Sequence, residues 1–248
     1  MISNFWINTI IKLVSLWTIN YGTGCLVFHK DIKVNYTRKI NHFALFFLPI
    51  YLDRIIPYEK SIEFITIGCF VGVVSLIIYI YPVRSRIDII RRMFLSFDRP
   101  EDRPHTLMWL STQIAVGYLI IIPFIILFYK EGYNNLIFIP ILINGIGDGL
   151  AEPVGIRFGK LKYKAYALFS KKKYVRTVEG SACVLITSII VILLFQSSFT
   201  HPEFICALIT IPIVMTLAEA FAPHTWDTPF LFFTGYSLLY LIKSIPFI

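Results

Sequence analysis

The chain has 248 residues, of which 56% are apolar and only 15% charged, with a mean hydropathy of +0.71. That is too oily for a soluble domain of this length. The net charge of +8 is no nucleic-acid signal here, because Lys and Arg gather in the cytoplasmic loops of membrane proteins. The four cysteines, Cys25, Cys69, Cys183 and Cys206, each lie inside an apolar block without metal-ligand spacing. They read as small core residues and imply no disulfide framework.

The apolar residues come in blocks of about twenty, the length that crosses a bilayer's hydrocarbon core. They predict an all-α fold: a polytopic transmembrane helical bundle of about eight spans, forming one integral membrane domain over residues 1–248. The spans fall near 5–28, 40–57, 61–81, 107–129, 135–155, 180–199, 203–222 and 230–247. The first carries Lys12 and Asn20 and lacks the basic start of a cleavable signal peptide. Pro49 and Pro57 are expected to break the second, and the third and fourth are the cleanest. In the loop 82–106, Ile87, Ile89, Ile90, Met93, Phe94 and Phe97 stand among arginines. They predict a short helix lying in the membrane interface, followed by an irregular stretch with Pro100 and Pro104.

With the amino terminus outside, the loops 29–39, 82–106, 156–179 and 223–229 face the cytoplasm and hold 18 of the 23 Lys and Arg residues. Dropping one span would scatter the basic loops over both sides. The loop 156–179 is the most basic, with no acid before Glu179. Its default role is orientation and attraction to anionic membrane lipids. The alternative is that Lys160 and Lys162 hold nucleotide phosphates, with Lys171–Lys173 a solvated surface.

The fifth span continues into Asn144-Gly-Ile-Gly-Asp-Gly-Leu-Ala-Glu-Pro-Val-Gly-Ile-Arg-Phe-Gly-Lys160. An acid deep in a span costs roughly 2.5–3.5 kcal/mol on insertion scales, so Asp148 and Glu152 are functional candidates by default. Gly147, Ala151, Gly155 and Gly159 recur every fourth residue and form a small-residue stripe on a helix; the bland reading of the glycines is a packing seam. Pro153 is expected to bend or end the helix. The Gly145/Gly147 pair is not a dinucleotide fingerprint, since no strand-like run precedes it.

Three further polar clusters fall on the same side under this topology. Arg38, Lys39 and His42 stand at the mouth of span two, Arg176 to Ser181 open span six, and Glu219 closes span seven with Asp227 following. Acids beside a basic rim suit a metal–nucleotide complex, and hard oxygen ligands suit Mg²⁺. The metal-ligand candidates are Asp148, Glu152, Glu179, Glu219 and Asp227.

These motifs, in this order, resemble the CTP-dependent polyprenol kinases, a family with dolichol, phytol and farnesol kinases and a CTP-using diacylglycerol kinase, and with phosphatidate cytidylyltransferases as distant relatives. Gly147-Asp148-x-x-Ala151-x-x-x-Gly155-x-x-x-Gly159-Lys160 looks like its signature. Arg38-Lys39-x-x-His42 is similar to its amino-terminal motif, and Thr177-x-Glu179-Gly180-Ser181 to its Lys-Thr-x-Glu-Gly-Ser motif. Ala218-Glu219-Ala220 through Asp227 is similar to its carboxy-terminal pair. Arg176 stands where the family usually has Lys, and Thr228 where Asn is common.

The resemblance implies a lipid-alcohol kinase that passes the γ-phosphoryl of CTP to a membrane prenol or similar lipid alcohol. Asp148 is then the leading metal ligand, with Glu179 or Glu152 second. Arg38, Lys39, Lys160 and Lys162, with Gly147, Gly155 and Gly159, are the nucleotide-binding candidates. His42 would hold or deprotonate the substrate hydroxyl. The alternatives are a cytidylyltransferase attacking the α-phosphorus and, in another class, a transporter or structural membrane protein, where broken helices with intramembrane acids also occur.

Overall fold

Each of the eight predicted spans coincides with a helical segment, and five segments are long and apolar enough to cross a membrane: Ser3–Lys30, Ile62–Tyr79, Thr106–Lys130, Asn134–Phe158 and His201–Phe221. The computed structural model describes residues 2–167 and 173–246. The chain divides into two compact units, Met1–Ala115 and Val116–Ile248.

The first unit contains α1 (Ile2–Lys30), α2 (Val34–Ile55), α3 (Ile62–Val74, continued by a 3₁₀ turn to Tyr79), α4 (Tyr81–Arg84) and α5 (Asp88–Leu95). The polar residues of its first span are partnered. Lys12 pairs with Asp53 of α2, Asn8 donates to the Leu52 and Ile56 carbonyls (3.2 and 2.9 Å), and Asn20 donates to the Tyr79 hydroxyl (2.9 Å). Helix α2 is not broken at Pro49 but runs through it.

A short helix, α5, stands in the loop 82–106 as expected. Its apolar residues Met93 and Phe94 are buried with Tyr79 and Phe97, against Trp17 and Leu110, so that face is covered by protein. The polypeptide of α5 crosses α1 closely enough that a side chain at Gly24 would overlap the Arg92 carbonyl. The stretch that follows is braced. Thr37 donates to the Ser96 carbonyl (2.8 Å), Arg103 pairs with Asp98 (2.8 Å), and Arg99 with Asp102 (2.7 Å).

Helix α6 (Thr106–Lys130) leads into the second unit. There a 3₁₀ turn, α7 (Phe138–Leu142), a π-helical segment Ile143–Asp148 and α8 (Gly149–Phe158) follow without a break. Strands β1 (Lys162–Tyr166) and β2 (Lys173–Thr177) come next, then α9 (Val178–Leu194), α10 (His201–Phe221) and α11 (Asp227–Ser244). The antiparallel hairpin, with Lys162 opposite Thr177 and Tyr166 opposite Lys173, is an exception to the expected all-α fold. It occupies the predicted basic loop.

Helix α10 shows what sorts the residues of this unit. Ala207, Ile211, Met215 and Glu219, four apart, lie on its buried face; Ile205, Ile209, Ile213, Leu217 and Phe221, also four apart, are exposed. Both faces are apolar except for Glu203 and Glu219, one toward each end of the buried face. An apolar exterior on a helix of this length is what lipid tails accept and water does not.

Candidate active site

The site is built where α8 turns into the hairpin and returns as α9. The α8–α9 contact is closed by small residues. A Cβ on Gly147 would stand 3.0 Å from Val184 Cα, and one on Gly180 would stand 2.6 Å from the Ala151 carbonyl oxygen. A Cβ on Gly155 would stand 2.6 Å from Thr177 Oγ1. That face of Gly147, Gly155 and Gly159 is therefore filled by α9 and Thr177. The small residues there let two backbones approach.

Helix α8 does not end at Pro153, and the irregular backbone lies earlier, in the π segment that Asp148 closes. Single π turns inside α-helices are frequent at functional sites. Asp148 is only 4% exposed, and a carboxylate buried this deeply requires compensating charge.

Arg176, on β2, lies within electrostatic range of it. Its Nη1 meets the Glu219 carbonyl oxygen and lies 3.0 Å from Glu219 Oε1. Its Nη2 lies 3.7 Å from Asp227 Oδ2. Burial works against the Arg176 charge, but Asp227, Glu219, Tyr163 and Asp148 together hold its pKa above the ordinary value. Ser181 donates to Glu219 Oε2 (2.7 Å) and shares a 2.6 Å hydrogen bond with the Tyr163 hydroxyl of β1. Burial, and after it the Glu219 charge, push the Tyr163 phenol up. Both strands thus converge on one carboxylate at the end of α10.

The hairpin is also fastened on its other edge. The His224 amide donates to the Tyr166 carbonyl (2.8 Å), and the Tyr174 and His224 rings stack. Next to His224, Thr225 holds a left-handed backbone (φ 69°). For a β-branched residue this is strained, and such strain persists only where the surroundings enforce it.

The predicted residues separate into groups. Asp148, Glu219 and Asp227 share the electrostatic environment of Arg176. Glu179, expected as a catalytic group or metal ligand, instead accepts from the backbone amides of Lys160 (2.8 Å) and Leu161 (3.3 Å), closing the turn between α8 and β1. Glu152 is half-buried on α8, and Lys160 and Lys162 are exposed at the rim. Lys171 and Lys172 lie outside the described residues. Arg38, Lys39 and His42 belong to the first unit, on α2, where Lys39 is buried and the His42 ring leans on Phe46 at 4.7 Å.

Among the described residues, no three or more His, Cys, Asp or Glu side chains are arranged to hold a metal ion. Glu179 lies against backbone amides, while Glu219 and Asp227 lie against Arg176. The sequence reading missed Arg176, Ser181 and Tyr163 as site residues. The first two stand inside or beside a motif already quoted, so the signal was present. Comparison with family models, with characterised proteins and with solved structures finds no match to this chain.

Proposed function

We propose that this protein is a multi-pass membrane lipid-alcohol kinase with eight spans, its amino terminus outside and its site at the cytoplasmic face. The reaction passes the γ-phosphoryl of a nucleotide, CTP by the motif resemblance, to a prenol or similar lipid alcohol. The observation that carries the reading is the buried Asp148 grouped with Arg176, Glu219 and Asp227 at one end of apolar-faced helices, beside a basic hairpin. Phosphoryl transfer asks mainly for positioning and charge stabilisation, and a site of this composition supplies both.

In the reaction the alcohol oxygen bonds to the γ-phosphorus and the bond to the β-bridging oxygen breaks. CDP leaves with the electron pair, and the hydroxyl proton passes to solvent water. Exposed Lys160 and Lys162 supply cations toward the phosphates. Mg²⁺ takes hard oxygen donors, usually one or two carboxylates plus substrate phosphates. Asp148 would be the carboxylate in that narrower role. Bound with the nucleotide, Mg²⁺ neutralises charge developing on the phosphate oxygens.

The test is purified full-length protein in detergent with a panel of lipid alcohols and each nucleoside triphosphate, followed with label in the γ or the α position. The kinase reading expects γ-label in the lipid. Label from the α position alone means cytidylyl transfer, and no labelled lipid at all means a transporter or structural protein.

A further inference from the structure

We infer that Arg176 is the built-in counter-ion of the acid cluster and the positioning residue of the hairpin. One guanidinium on β2 ties the hairpin to the end of α10 and the start of α11, and it balances acids that the sequence assigns to a metal. Its two terminal nitrogens face different carboxylates, Glu219 at 3.0 Å and Asp227 at 3.7 Å, with Asp148 in electrostatic range. A planar fork can serve two acids on two helices at once, whereas a lysine ammonium is a single compact charge. This gives a physical reason for arginine at the position where the resembled motif usually has lysine. The second oxygen of Glu219 is taken by Ser181 (2.7 Å), so that carboxylate is fully engaged within the protein.

The consequence does not depend on which group the enzyme transfers. With Arg176 in place, Glu219 and Asp227 are spoken for. Without its charge, three neighbouring acids repel one another, and a divalent cation relieves that repulsion.

Two readouts on the full chain in detergent test this without turnover: Mn²⁺ binding in the absence of nucleotide, followed by the electron paramagnetic resonance of free Mn²⁺, and amide hydrogen exchange in β1 and β2. Arg176→Gln is expected to bind Mn²⁺ about tenfold more tightly or better, with faster exchange in both strands. Arg176→Lys keeps the charge and loses the fork, so Mn²⁺ affinity stays close to that of the unaltered protein while exchange still accelerates. Mn²⁺ binding by Arg176→Gln no tighter than by the unaltered protein overturns the counter-ion role. Unchanged exchange in Arg176→Lys overturns the positioning role, and decides the matter even where Arg176→Gln does not fold. Failure to phosphorylate any lipid would sink the kinase reading and leave both of these measurements interpretable.

Discussion

The ring of Tyr174 lies flat on that of His224, with centroids 3.5 Å apart and planes 8° from parallel. This joins the middle of β2 to the turn between α10 and α11, the turn that separates Glu219 from Asp227. An aromatic pair is worth about 0.5–1.5 kcal/mol beyond the area it buries. Tyr174→Ala is therefore expected to accelerate amide exchange across Lys162–Tyr166 and Lys173–Thr177, while Tyr174→Phe leaves it close to normal. Equal exchange in the two variants would mean that the stack does not hold the hairpin down.

The α8–α9 seam makes a second prediction, on stability. Gly180→Ala places a methyl 2.6 Å from the Ala151 carbonyl oxygen, so the helices must separate. Overpacking of this kind costs about 1–3 kcal/mol, which should appear as a lowered thermal midpoint in detergent. Gly22→Ala is the control. Nothing lies within 4 Å of a Cβ there, and the change is expected to be neutral or slightly stabilising.

Asp148→Asn keeps the size of the side chain and removes the charge. It is expected to abolish lipid phosphorylation while expression and membrane insertion stay near normal. Turnover like that of the unaltered protein would remove Asp148 from the reaction. Lys172→Ala, at a position outside the described residues, is expected to change activity little.

Orientation is testable without activity. Single cysteines placed at Lys162 and at Lys60 in a background without the native cysteines should react with a membrane-impermeant maleimide from opposite sides of sealed vesicles. Labelling of both from the same side would contradict the loop-charge orientation.

The sequence marked where the helices lie because the bilayer demands long apolar blocks, and local caps set several of their starts. Ser61 accepts from the Phe64 amide (3.4 Å), Thr177 accepts from the Gly180 amide (3.1 Å), and Thr200 with Glu203 forms a capping box. Proline misled the reading at Pro49. Helix neighbours can stabilise a helix that lacks one internal hydrogen bond, and no local pattern shows this. The hairpin was overlooked because Lys162, Lys164 and Lys173 made the segment read as a charged loop. Its alternation, with Ala165 buried between exposed Lys164 and Tyr166, is only a few residues long. The acids of the site were legible, since a carboxylate in an apolar block is conspicuous. Their mutual arrangement was not: Arg176 meets Glu219 and Asp227 through tertiary folding, and spacing along the chain carries no trace of it.

The π segment has a consequence for how this unit tolerates change in length. A π turn holds one residue more than an α turn, and each α-helical residue rotates the chain by about 100°. Removing one residue from Ile143–Asp148 would let the wide turn close to an ordinary α turn, whereas winding all of its residues as α-helix would swing Phe138–Leu142 round by that angle relative to the rest of the helix. As built, Pro140 meets Gly235 of α11 on one side of the bulge, and Gly147 meets Val184 of α9 on the other. A uniform α-helix of the same residues could not keep both of those appointments, so the wide turn acts as a phase correction between two neighbours with different demands.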